Sequence, residues 1–137
     1  MEQYLINGGN KLFGEVQISP AKNACLPIIA SSIMFNGKIA LNNAPQILDV
    51  AVMAEIIKDL GGEFNFNGKN LLLKTSNITS YHPSKEICTR ARASFFIVGA
   101  LLSRFKRAVV PLPGGCNFGI RPVDVHIDAL NQLGFKC

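Results

Sequence analysis

Paired cysteines are the first thing this sequence lacks. The four cysteines, at positions 25, 88, 116 and 137, form no C-x-x-C pair, and the two histidines, His82 and His126, are not placed to complete a zinc set. No structural metal follows from such a pattern. An export signal is also missing, since Met1, Glu2 and Gln3 are neither basic nor followed by a long apolar stretch. In a chain that is not exported the thiols stay reduced, so four cysteines make no disulfide framework, and Cys25 and Cys88 read as small core residues. No apolar run comes near the roughly 20 residues that span a bilayer; the longest, Phe95 to Leu102, falls well short. The expectation is a soluble, cytoplasmic chain with no membrane partner. Acidic residues are scarce: nine against 14 Lys and Arg, a net charge of +5. Such an excess suits nucleic acid, with Arg90, Arg92, Arg104, Lys106 and Arg107 the densest basic group. Yet there is no recognition helix, zinc finger or aromatic platform to go with it. The same charge suits a polyanionic small substrate, so phosphates are the expected common factor and nucleic acid is not an expected partner.

What is present is an apolar content of 48% over 137 residues, enough for a buried core. Chemistry is densest between Pro111 and Asp124. Gly114, Gly115 and Gly119 permit positive φ and close approach of a ligand, while Pro111, Pro113 and Pro122 stiffen the flanks. That predicts a loop with firm anchors and a mobile tip. Cys116 sits at the tip, and Arg121 is close enough in sequence to lower its thiol pKa. The spacing Gly114-x-x-x-x-Gly119 has Ile120 and Arg121 where a P-loop requires Lys and Ser or Thr, which rules out an NTPase of that type.

The remaining chain reads as alternating elements. Short strands are expected at Tyr4–Ile6 and around Val16 and Ile18, then a buried helix from Asn23 to Met34 and a strand at Ile39–Leu41. Val52, Met53, Ile56, Ile57 and Leu60 mark one face of a helix from Val50 to Leu60, with Asp49 as N-cap and Gly61-Gly62 as stop. Asn67-Gly68 signals a hairpin between Glu63–Phe66 and Asn70–Lys74. A polar loop from Thr75 to Lys85, a buried helix at about Ala93–Ser103, a strand at Val109-Val110 and a helix from Val125 to Leu133 complete the series. These elements repeat at a spacing of 70 residues: Ala30, Phe35 and Ile39 fall on Ala100, Phe105 and Val109. Lys22 falls on Arg92, so each copy places a cation where its buried helix begins, beside unpaired N–H groups that favour phosphate. Each candidate also has a plainer role open to it. Lys22 and Arg90 or Arg92 suit a solvated surface, Arg121 suits a brace for the loop, Asp124 suits an N-cap, and His126 suits a partly buried structural position. Of the two neighbouring arginines, the repeat selects Arg92.

The motif Pro113-Gly-Gly-Cys-x-x-Gly-x-Arg-Pro-Val-Asp124, with Ala21-Lys-Asn-Ala24 upstream, resembles the UDP-N-acetylglucosamine 1-carboxyvinyltransferases. The resemblance runs through the whole chain and covers about the first third of a family member. It implies an α/β fold, the inside-out prism of βαβαββ-type units of enolpyruvate transferases, here incomplete. Residues 1–21 would be strands of a second domain not otherwise included, and residues 22–137 two repeat units of the first. It implies transfer of the enolpyruvyl group of phosphoenolpyruvate to the sugar 3′-hydroxyl of UDP-N-acetylglucosamine, with release of phosphate and no cofactor. By resemblance Lys22 and Asn23 contact phosphoenolpyruvate; Arg92, Arg121, Pro122, Val123, Asp124 and Val125 contact the nucleotide sugar; Cys116 gives a proton to C3 and is the cysteine alkylated by fosfomycin. Pro20 departs from the family, which usually has glycine there. The implied aspartate base and further arginines belong to the portion beyond this chain, so little or no turnover is expected of it alone. Two alternatives stay open: a nucleotide-sugar-binding module without catalysis, and the enolpyruvyl transferase of the shikimate pathway.

Overall fold

A computed structural model describes residues 3–112 and 122–137. The first helix, α1 (Lys22–Ser31), is apolar around most of its circumference and buries Cys25, Leu26, Ile29 and Ala30. Pro27 lies in its second turn, where it has no N–H to give to the carbonyl of Asn23. A 3-10 turn, Ser32–Met34, extends it and buries Ile33. Then β1 (Lys38–Leu41) leads to α2 (Leu48–Asp59), in which Val50, Val52, Met53, Ala54, Ile56 and Ile57 are all fully buried. α2 ends in a Schellman motif. Gly61, at φ 103°, donates to Lys58, and Gly62 donates to Ile57.

The hairpin joins β2 (Glu63–Asn67) to β3 (Asn70–Lys74), and the antiparallel sheet runs in the order β1-β3-β2. Its turn is centred one residue later than the sequence suggests, on Gly68 and Lys69. Asn67 already pairs with Asn70, and Gly68 takes the positive φ of 57°, as a type II′ turn requires at its first central position. Register aligns two apolar rows across the inner face, Ile39–Leu73–Phe64 and Leu41–Leu71–Phe66. β2 packs against α2, while Lys38, Glu63, Asn65 and Asn70 hold the other face in water. Helices are therefore inside and the sheet outside, which is the layering of an incomplete α/β prism.

A short helix the sequence did not announce, α3 (Lys85–Cys88), precedes the second helical run. That run starts as a 3-10 segment, Arg92–Phe96, and continues as α4 (Ile97–Phe105), burying Ile97, Ala100 and Leu101. α5 (Asp124–Gln132) closes the chain and ends as α2 does, with Gly134 donating to Asn131 and Phe135 to Leu130. Lys22 and Arg92, 70 residues apart, each begin a helical run.

Five sequence expectations need correction. Ile47 and Val123, not Asp49 and Asp124, occupy the N-cap positions. Each aspartate sits inside the first turn: α2 already begins at Leu48, one residue before Asp49, and Asp124 is itself the first residue of α5. No strand forms at Val109-Val110; among the described residues Val109 donates one backbone bond, to Tyr81. Tyr81 lies in no strand, and one bond to it makes no ladder. Residues 3–20 likewise form neither of the expected strands and leave Tyr4, Leu5, Ile6, Leu12, Phe13, Val16 and Ile18 almost wholly exposed, since a strand needs a neighbour for its backbone bonds. Among the described residues no helix is long and apolar enough to cross a membrane.

A cleft between two cationic helix starts

Lys22 and Asn23 open α1, and Arg92 opens the second helical run; all three line one cleft of about 600 Å³. Asp49 from the first turn of α2 and His126 from α5 complete its polar lining. Its apolar lining comes from Leu26, Phe95, Phe96, Val98, Ala129, Leu130 and Leu133. Burial of Leu26, Ile97 and Leu101 in the common core fixes the two helical runs and so brings their first residues to the same cleft. The arrangement offers backbone N–H groups and fixed cations to an anion, with an apolar surface beside it for the rest of a ligand.

Those predicted residues that the structure describes can be located against this cleft. Lys22, Asn23, Arg92 and Val123 border it. Pro122, Asp124 and Val125 are exposed at the start of α5 but do not line it. Cys116 and Arg121, with Gly114, Gly115 and Gly119, lie outside the described residues. His126 is exposed and stands edge-on to Phe95, with ring centroids 5.5 Å apart, so the expected half-buried structural histidine is instead part of the cleft lining. Asp49, read from sequence only as a cap, forms an ion pair with Lys22. No local spacing announces that contact, because it joins two helices.

The basic group does not form a single patch. Arg90 pairs with Glu55, and Arg107 lies over the Tyr81 ring at 5.2 Å. Arg104 gives its guanidinium to the carbonyls of Ile33, Phe35, Thr75 and Ile78 at 2.9–3.0 Å. Of the five, only Arg92 borders the cleft.

Two thiols belong to the core. Burial pushes the Cys88 thiol up to about 11, helped by the negative charge of Asp59, and burial also raises Cys25. A raised pKa leaves less thiolate at any given pH, for Cys88 on the order of one molecule in a thousand at pH 8. Iodoacetamide at pH 8 should therefore modify exposed Cys137 and leave Cys25 and Cys88 untouched until the chain is unfolded, as read by peptide mass spectrometry. Modification of Cys88 in the folded chain at the rate of Cys137 contradicts the burial.

Residues 6–137 match the EPSP synthase (3-phosphoshikimate 1-carboxyvinyltransferase) family. Among curated relatives, UDP-N-acetylglucosamine 1-carboxyvinyltransferase 3 of Caldanaerobacter subterraneus subsp. tengcongensis is 41% identical over 98% of this chain and 32% of its own length. UDP-N-acetylglucosamine 1-carboxyvinyltransferase 2 of Clostridium tetani is 44% identical over 98% of this chain and 33% of its own. The chain thus spans about a third of the length of these relatives. The crystal structure of the enolpyruvyl transferase NikO from Streptomyces tendae superposes with a TM-score of 0.63 at 25% identity, covering 72% of this chain and 23% of that one.

Proposed function

The chain belongs to the EPSP synthase family, and from that premise we propose that it forms one wall of a site for enolpyruvyl transfer to UDP-N-acetylglucosamine. The sugar 3′-hydroxyl adds to C2 of phosphoenolpyruvate while C3 gains a proton. Phosphate then leaves C2 as C3 gives a proton up, and an enolpyruvyl ether remains. The observation that carries the proposal is that Lys22, Asn23 and Arg92, from two separate helical runs, border one cleft. The names of the relatives support the nucleotide sugar over shikimate 3-phosphate as acceptor.

In this proposal Lys22 and Asn23 hold phosphoenolpyruvate, and Arg92 with Arg121, Pro122, Val123, Asp124 and Val125 holds the nucleotide sugar. Seating both phosphorylated ligands side by side turns a bimolecular encounter into an oriented one. Cys116 is the proton donor at C3; a donor on a glycine-rich segment suits a site that has to close and reopen. A reducing, cytoplasmic setting keeps that thiol free. Residues 1–21 are taken as a segment that pairs into strands only once a second domain is beside it, and 22–137 as two repeat units of the first domain. The seven unburied apolar side chains of the N-terminal segment support a partner surface there. One wall alone should bind better than it turns over.

Calorimetric titration tests the proposal. The 137-residue chain should bind UDP-N-acetylglucosamine and phosphoenolpyruvate. Arg92→Ala should weaken the first, and Lys22→Ala the second, by about 10- to 100-fold, the range of a charge-assisted hydrogen bond to phosphate. Phosphate release in a coupled assay should stay near background. Binding of shikimate 3-phosphate in preference to the nucleotide sugar, or loss of neither ligand in the two variants, overturns the proposal. Nucleotide-sugar binding with indifference to phosphoenolpyruvate marks a binding module without catalysis.

A further inference from the structure

A lysine as the first residue of a helix stands at the wrong end of the macrodipole, and α1 has no acidic residue in its first turn to offset it. The compensating carboxylate comes from the neighbouring helix. Asp49, in the first turn of α2, forms an ion pair with Lys22, and both side chains line the cleft. Asp49 itself stands at the favourable end of its own helix. The pair joins two positive helix ends in the cleft lining, where, among the described residues, Arg92 and His126 are the other ionisable groups. Half of the lysine side chain and about a third of the aspartate side chain are open to water, so the contact contributes little to stability and is easily exchanged.

We infer that Asp49 is a placeholder for the ligand's phosphate: it holds the Lys22 ammonium in the cleft when no anion is bound and yields it when a phosphate monoester arrives. The inference rests on the cleft being the phosphate seat proposed above. Asp49 is then a positioning residue that sets anion affinity through Lys22. A carboxylate there competes with the incoming phosphate, whereas a purely structural contact does not.

Asp49→Asn keeps shape and hydrogen bonding while removing the competing charge. In calorimetric titrations of the 137-residue chain, D49N should bind phosphoenolpyruvate about two- to fivefold more tightly than the unaltered chain, the scale of an exposed ion pair. Asp49→Glu should keep the original affinity, and the gain in D49N should shrink as salt is raised. The ¹⁵Nζ signal of Lys22 should move in D49N without ligand. Should D49N fail to fold by circular dichroism, Asp49→Ser carries the same measurement. Unchanged or weaker binding in D49N, beside clear binding by the unaltered chain, overturns the placeholder and leaves the phosphate seat standing. Binding by neither chain removes the seat, and the inference with it.

Discussion

Replacing Arg104 by methionine is expected to lower the unfolding free energy by about 3 kcal/mol, although Arg104 does not line the cleft. Its guanidinium accepts nothing and donates to four carbonyls, those of Ile33 and Phe35 at the end of the first helical run and those of Thr75 and Ile78 beyond β3. Methionine keeps the packing of the stem and removes every donor: Phe35 and Thr75 keep bonds from the Thr75 hydroxyl and the Ile78 N–H, while the part-buried carbonyls of Ile33 and Ile78 lose the guanidinium bond. Lysine is the informative control. It retains the charge but is a point donor without the planar fork, so it cannot reach Ile33 and Ile78 together, and Arg104→Lys should recover less than half of the loss. Urea denaturation followed by far-ultraviolet circular dichroism measures both. A loss below about 1 kcal/mol for the methionine variant removes Arg104 from its structural role.

The two sides of Arg104 mark where the sequence could be read and where it could not. α2 was legible because its apolar residues fall at helical spacing and Leu60-Gly61-Gly62 stops it. The hairpin was legible because Asn67-Gly68 lies between alternating segments. The pairing of Lys22 with Arg92 across the cleft came from the 70-residue repeat, a signal of long range. What escaped depends on contacts that no local pattern encodes. Arg104 reads as one more surface cation until the carbonyls around it are seen, and Asp49 reads as a cap until Lys22 is found beside it. The strands expected at Tyr4–Ile6 and Val109-Val110 failed for a related reason. Alternation states that a segment can pair but does not supply the neighbour that completes its hydrogen bonds. The glycine-rich stretch with Cys116 and Arg121 was the most legible piece of chemistry in the sequence, and it lies outside the described residues.

Alanine at two glycines should move stability in opposite directions. Gly62 follows the last turn of α2, where that helix end crosses the end of β3. A Cβ built there meets Ile57 Cγ2 at 2.8 Å and the backbone oxygens of Ile57 and Lys74 at 2.9 Å each. Two of these three obstacles are backbone, so relief requires moving a helix terminus away from a strand that holds the two apolar rows of the sheet. Gly62→Ala should therefore cost about 3 kcal/mol or more. Gly99 lies on the exposed side of α4, with open space around an added Cβ and an ordinary helical backbone. There the methyl group only restricts the unfolded chain, and Gly99→Ala should stabilise by about 0.5–1 kcal/mol. Thermal unfolding of the two variants beside the unaltered chain reads both signs in one experiment. A Gly62→Ala variant as stable as the parent means that α2 and β3 do not approach each other as closely as these distances require.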